Sequence, residues 1–183
     1  MTPADQDGAQ ARLVSAPALP RLTAFALDAV TYLIIPALLL PLGLLLIRHG
    51  VMPEFGCSQC IGLVLVIAPA TAWATWCEAR PREATLGKRL LRLGVLDETT
   101  EALVPASRSL ARNMIRIALP WELGHTVALG YAYTGSGNVP AWLWVLTAII
   151  YGWLLVNLIL LIIPSRKPVH DRVARTIVVG TKS

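Results

Sequence analysis

Residues 141–163 read AWLWVLTAIIYGWLLVNLILLII, a run dominated by apolar and aromatic side chains that contains no charge. A helix that crosses the hydrocarbon core of a bilayer needs about 20 predominantly apolar residues. This run therefore predicts a membrane-spanning helix and indicates an integral membrane protein. Trp142 and Trp144 at its start are typical of the membrane interface.

Two earlier stretches meet the same criterion. Residues 22–47 form a long apolar run that carries one charge, Asp28, and residues 61–77 form a shorter run without charges. The run at 22–47 is too long for the apolar region of a cleaved signal peptide, so it predicts an uncleaved first span. Residues 1–20 are small and polar and contain proline, and we expect a disordered cytoplasmic leader there.

A fourth stretch, residues 115–133, is weaker because it contains Arg116, Glu122 and His125. The basic residues favour a span nevertheless. If it spans and the N-terminus is cytoplasmic, 15 of the 16 Lys and Arg residues lie on the cytoplasmic side, where such residues are enriched. We therefore predict an all-α fold, a four-helix transmembrane bundle in a bacterial cytoplasmic membrane with both termini in the cytoplasm.

The composition agrees with a chain that is partly dissolved in lipid. Its hydrophobic fraction is 55%, its charged fraction is 15% and its mean hydropathy is +0.60, whereas soluble domains carry roughly 25% charged residues. The net charge is +5, and the basic residues adjoin apolar runs. We therefore expect anionic lipid headgroups, and not nucleic acid, as the acidic partner.

The cytoplasmic segment between the second and third spans is long enough to fold. An apolar strand near residues 92–96, a polar turn and residues 102–104 together predict a short β-hairpin. The tail sequence TIVVG, residues 176–180, is rich in β-branched residues and could add a strand to it.

Asp28 is the outstanding residue, because a carboxylate near the centre of a span costs roughly 2.5–3.5 kcal/mol on insertion scales. Arg21 precedes it by seven residues, so both side chains share one helix face. Two interpretations remain open. The pair is either a structural tie in a buried polar cluster, or Asp28 is a protonatable or cation-binding group in a transport path.

Glu122 and His125 are spaced i, i+3 and share a face of the third span, where ionisable residues normally point into the bundle. With Asn157 from the fourth span and Asp28, they could form a proton or cation relay. The alternative is a mutually satisfied hydrogen-bonded pair near an interface.

The remaining chemistry-bearing motifs are weak. Cys57 and Cys60 form a CxxC in the predicted outer loop, which favours a disulfide or free thiols over a metal site. Gly87 and Lys88 lack the other residues of a phosphate-binding loop, and neither HExxH nor GxSxG occurs. We expect no cofactor, no metal and no enzymatic activity.

Four segments together resemble the RDD family of membrane proteins: RLTAFALD (21–28), TLGKRLLRLGVLD (85–97), SRSLARN (107–113) and HDRVARTIVV (170–179). The resemblance implies that Arg21 is the family's arginine, that Asp28 is its first aspartate and that Asp171, which follows His170, is its second. Leu86 stands where the family often has proline. The family implies a multi-pass membrane protein for which transport has been proposed.

These observations support two functional hypotheses for a transmembrane domain at residues 21–179, which residues 180–183 follow. The first is a small ion-translocating or transport protein with Asp28 as its central group and Arg21 tuning it, within a polar cluster that includes His170 and Asp171. The alternative is a non-catalytic structural or partner-binding membrane protein whose cytoplasmic hairpin docks an unknown protein. A homo-oligomer is possible in either case, because several glycines permit close helix contacts.

Overall fold

The computed structural model of the chain describes residues 15–51, 53–80, 84–134, 137–163 and 166–181. Most of these residues are helical. In chain order the elements are α1 (Ala18–Tyr32), α2 (Ile34–Arg48), α3 (Phe55–Gly62), α4 (Ala68–Glu78), α5 (Leu86–Leu90), β1 (Leu93–Asp97), α6 (Ala106–Asn113), α7 (Leu119–Thr134), α8 (Ala141–Ile162), α9 (Val169–Ala174) and β2 (Thr176–Gly180). The longer helices join into four rods, α1–α2, α3–α4, α6–α7 and α8.

Three rods are long and apolar enough to cross a membrane, at Ala18–Leu46, Phe55–Glu78 and Ala141–Ile162. Only 6% of the apolar window in the first and last of these is buried inside the protein. Their apolar side chains therefore face outward, as contact with lipid requires. The α6–α7 rod does not meet the same criterion, and it carries several charged side chains.

Proline explains where the rods depart from regular α-helix. A π-helical turn at Leu63–Ile67 precedes Pro69, and a second one at Met114–Ala118 precedes Pro120. Proline cannot donate the i→i−4 hydrogen bond and crowds the preceding turn, and a wider turn relieves both problems. The break between α1 and α2 at Leu33 likewise lies just before Pro36.

The predicted hairpin between the second and third spans forms only in part, whereas the tail adds a strand to β1, as predicted. β1 pairs antiparallel with β2 from the tail, from Leu93 opposite Gly180 to Asp97 opposite Thr176. Leu103 of the expected second strand makes only an isolated bridge to Leu96. Leu96 pairs with both Ile177 and Leu103, so the two segments do not compete for it. The tail pairs over five consecutive residues, whereas the local return is cut short where α6 begins.

The end of the predicted leader is ordered. Ala16 is buried and donates its N–H to the carbonyl of Val178 at 2.8 Å, and α1 begins at Ala18. Ala16 and Val178 belong to a small hydrophobic core, whose other members are Ala24, Leu93, Val95 and Val104. The predicted disorder is therefore wrong for residues 15–20, and residues 1–14 lie outside the described part of the chain.

Candidate functional site

The buried face of α1 consists of Arg21, Ala24, Asp28 and Tyr32, spaced three or four residues apart. Arg21 and Asp28 therefore share a face, as expected, but each has a different partner. Arg21 donates to Asp171 in the tail at 3.2 Å. Asp28 instead binds groups from the segment between the second and third rods.

Asp28 is fully buried and accepts three hydrogen bonds. The backbone N–H of Gly87 lies 2.8 Å from Oδ1, and the hydroxyl of Thr85 donates to Oδ2. Thr85 is the N-cap residue of α5 but does not cap that helix with its own side chain. Asp28 supplies the missing acceptor from another helix, which fixes α5 against α1. Arg116 lies 3.5 Å from Oδ2.

Glu78, at the end of α4, is the centre of the site, and its side chain is fully buried. Arg112 donates to Oε1 at 2.6 Å, and Arg116 donates to the same oxygen at 3.3 Å. Among the described residues, the donors to its two oxygens are Lys88, Arg112, Arg116, Ser109 and Asn113. These donors reach both oxygens of the carboxylate, as the burial of a charged group requires.

Asp171 is the third buried carboxylate, and it lies in the first turn of α9. It accepts from Arg112 Nε at 2.7 Å, from Arg21 at 3.2 Å and from the hydroxyl of Thr176 at 3.2 Å. The Nε2 atom of His170 lies 3.8 Å away.

Two arginines join these carboxylates into one system. Arg116 bridges Asp28 and Glu78, and Arg112 bridges Glu78 and Asp171. We call the ionic network the set Arg21, Asp28, Glu78, Lys88, Arg112, Arg116 and Asp171. Its three carboxylates face four cations, and it ties α1, the α4 end, α5, the α6–α7 rod and α9 together.

Burial and the charges of the network together shift the pKa values of three groups that lie outside the spans. Burial favours the neutral form of Asp171, but Arg112 outweighs that effect and holds its pKa well below the usual range. Burial lowers the pKa of Lys88 to about 7, and the nearby charge of Arg116 adds to the shift against the attraction of Glu78. Burial also lowers the pKa of His170 to about 3, so His170 is neutral near pH 7.

A second polar group lies further along the bundle, between α3 and α7. The amide nitrogen of Gln59 donates to Glu122 Oε1 and to the hydroxyl of Thr126. Within the described part of the chain, three buried atoms of this group have no hydrogen-bond partner: Gln59 Oε1, Glu122 Oε2 and His125 Nδ1. We call Gln59, Glu122 and His125 the outer polar group.

Glycine at position 62 makes room for His125. A Cβ atom on Gly62 would lie 2.1 Å from His125 Cε1, so the imidazole packs directly on the α3 backbone. The prediction that Asn157 joins Glu122 and His125 is wrong. It donates to the Trp153 carbonyl and accepts the N–H of Val169, which fastens the tail to α8.

The three cysteines form no disulfide with one another. Cys57 and Cys60 are free and exposed, and Cys77 is buried. Cys57 and Cys60 belong to α3, because this helix begins at Phe55, six residues earlier than the predicted span. Among the described residues, no group of three or more His, Cys, Asp and Glu side chains is arranged to hold a metal ion.

Sequence reasoning missed Glu78, the centre of the network. A signal was present, because Arg108, Arg112 and Arg116 recur every four residues and a buried basic stripe needs a counter-charge. Glu78 is the carboxylate at the end of the second span and could have been proposed from that rule. Arg108 pairs instead with Asp97 at the end of β1.

Comparison with known proteins places the chain in one family. No curated protein sequence and no solved structure matches it significantly. The sequence profile of the RDD family matches residues 15–175, and this range includes Arg21, Asp28 and Asp171. Together with the three long apolar helices, the match fits a multi-pass membrane protein. The chain belongs to the RDD family.

Proposed function

We propose that the protein spans a bacterial cytoplasmic membrane four times, with both termini in the cytoplasm, and translocates a cation or proton without catalysing a reaction. The position of the sheet supports this topology. Ala16, β1 and β2 meet at one end of the rods, so the N-terminal region, the middle loop and the tail lie on the same side. An even number of crossings satisfies that arrangement, and the α6–α7 rod supplies the fourth.

The outer polar group is the observation that carries the proposed transport. Leaving a buried polar atom unsatisfied costs about 1–3 kcal/mol, and Gln59, Glu122 and His125 each hold one such atom. Two of the three atoms are oxygens, the ligand type that hard cations prefer. A water molecule, proton or alkali cation would satisfy them. We therefore assign ion exchange to Glu122 and His125, with Gln59 as a supporting ligand.

Asp28 has a different role in this proposal. Its two oxygens already accept from Thr85, Gly87 and Arg116, which leaves little attraction for another cation. We therefore treat Asp28 as a structural group that secures α5, and Arg21 as a structural group that secures α9.

The full pairing of the ionic network favours a second candidate, a non-catalytic structural or partner-binding membrane protein. Asp28, Glu78 and Asp171 all bind cationic side chains, which is what a bundle held together by polar contacts requires. The surface formed by β1 and β2 would then dock another protein. This candidate predicts no ion flux in purified membranes.

The two candidates are separated by cation–proton exchange in everted membrane vesicles. We expect Na⁺ or K⁺ to collapse an imposed proton gradient in vesicles with the wild-type chain. Glu122→Gln should abolish the signal because it removes the ionisable oxygen, while the protein level stays unchanged. Glu101→Gln, at an exposed loop position, is the matched control and should leave the exchange intact.

Asp28→Asn tests the structural role that we assign to Asp28. We expect it to lower the amount of folded protein without lowering the exchange per molecule that remains. Exchange in the Glu122→Gln protein at the wild-type level, or no exchange in any protein, would refute the transport proposal. The second outcome would favour the structural candidate.

A further inference from the structure

A cavity of about 280 Å³ opens between α1, the α6–α7 rod, α8 and the tail. This volume is close to the lower end of the range for small-molecule sites, about 300–1,000 Å³. The cavity borders the ionic network on one side and the apolar surfaces of the rods on the other. It lies away from Gln59, Glu122 and His125, none of which lines it.

One end of the cavity is cationic. Arg21, Lys88, Arg112 and Arg116 line it, and among the described residues Asp171 is the one carboxylate that does so. The other two carboxylates of the network, Asp28 and Glu78, are fully buried and are not among the lining residues. The cavity therefore meets the cationic side of the network.

These cations have more N–H donors than the network uses. A guanidinium carries five N–H donors and an ammonium three. Arg116 contacts its two carboxylates at 3.3 and 3.5 Å, longer than a strong charge-assisted hydrogen bond. Arg21 donates one bond to Asp171 and one to the hydroxyl of Ser15. An additional anion could be bound without breaking the network.

The walls of the cavity are apolar. Leu22 and Phe25 of α1 form one side, and Trp153, Leu158 and Leu161 of α8 form the other. Leu154, Leu158 and Leu161 follow one face of α8 at intervals of three and four residues. A small hydrophilic anion would leave these walls without a partner, whereas an alkyl chain fits them.

We propose that this cavity binds one anionic amphiphile, with a phosphate or carboxylate against Arg21 and Arg116 and an alkyl chain between α1 and α8. The chemistry fits two sources, an anionic phospholipid of the surrounding leaflet and a free fatty acid. The site is independent of the proposed ion exchange, because its residues do not overlap with the outer polar group.

Native mass spectrometry of the full chain in dodecyl maltoside tests the proposal. The probes are phosphatidylglycerol and phosphatidylcholine with identical acyl chains, dodecanoate and inorganic phosphate. We expect one bound phosphatidylglycerol or dodecanoate per chain, retained at least about tenfold more tightly than phosphatidylcholine. Preference between the two anionic probes identifies the source of the ligand.

A pair of substitutions on α8 locates the binding. Leu161→Trp should fill the cavity and reduce binding of the anionic probe at least about tenfold, while the ionic network is left unchanged. Leu155→Trp is the matched control, because Leu155 is 57% exposed and does not line the cavity. It should bind as the wild type does.

Three results would overturn the proposal. Equal retention of phosphatidylglycerol and phosphatidylcholine would show that charge is not recognised. Unchanged binding by Leu161→Trp would place the lipid elsewhere on the surface. Displacement of the bound amphiphile by inorganic phosphate at equal concentration would show that the alkyl chain contributes nothing.

Discussion

Single buried charges are the most consequential residues in this protein, and each one depends on its partners. Breaking a buried ion pair by removing one member costs about 3–5 kcal/mol, because the other member remains uncompensated. Glu78 is the extreme case, since three cations and two neutral donors converge on its two oxygens.

We expect Glu78→Gln to lower the free energy of unfolding in detergent by about 3–5 kcal/mol. The amide keeps the shape of the side chain but removes the charge that Lys88, Arg112 and Arg116 share. Glu101→Gln, at an exposed loop position, should change the same quantity by less than about 0.5 kcal/mol. Equal stabilities for the two variants would mean that the network does not hold the bundle together.

His170 should make the stability depend on pH. Its pKa is about 3 in the folded protein, because of burial, and about 6.5 in an unfolded chain. Between these values only the unfolded state takes up the proton, so the stability contributed by neutral His170 is fully present well above pH 6.5 and is lost as the pH decreases towards 3. From pH 7 to pH 5 the expected loss is about 2 kcal/mol.

The measurement is the free energy of unfolding at both pH values, for the wild type and for His170→Gln. The variant should lose most of the pH dependence, whereas His49→Gln, at an exposed position near the end of α2, should keep it. A pH dependence that His170→Gln leaves unchanged would assign it to another group.

At the scale of the element, the short helix α5 shows how the loop is attached to the bundle. The Gly87 N–H binds Asp28, and a Cβ atom at position 87 would lie 2.2 Å from the carbonyl oxygen of Ala24. A real Cβ atom cannot lie so close to a carbonyl oxygen. Glycine is therefore required for contact between the α5 and α1 backbones, and the opposing atom, which belongs to a helix backbone, has little room to move.

We expect Gly87→Ala to cost about 1–3 kcal/mol, the usual penalty for inserting a methyl group into a packed site. The readout is the midpoint of thermal unfolding in detergent. Gly152→Ala is the matched control, because a Cβ atom there meets nothing within 4 Å. The expected order would be contradicted if Gly152→Ala were the more damaging of the two.

For the whole molecule, the ionic network and the sheet lie at one end of the rods, and Cys57 and Cys60 lie near the other. The α3–α4 rod begins near these exposed thiols and ends at Glu78. The side of the membrane on which the thiols react therefore reports the orientation of the entire protein.

We expect a membrane-impermeant maleimide to label Cys57 in intact spheroplasts and to leave the buried Cys77 unmodified. The double variant Cys57→Ser/Cys60→Ser should lose the label, which assigns the signal to these two positions. Labelling that requires everted vesicles would place the network end outside and would contradict cytoplasmic termini.

The sequence was a good guide to the elements and a partial guide to the site. The apolar runs at 22–47, 61–77 and 141–163 predicted the three long apolar rods, because a span requires a continuous local pattern. The resemblance of residues 170–179 to the RDD family singled out Asp171. The pairing of Arg21 with Asp171 joins residues 150 positions apart, and no local pattern specifies such a partner.

By itself, the sequence predicted the long apolar helices and the membership of the RDD family, which fit a multi-pass membrane protein, since hydropathy is a property of each segment alone. Only the tertiary structure decided what the buried charges do. It made Glu78 the centre of the network, made the tail strand and not residues 102–104 the main partner of β1 and, among the described residues, left Glu122 and His125 with unpartnered atoms. The energy of a buried polar group depends on which distant donors and acceptors surround it, and folding alone brings these together.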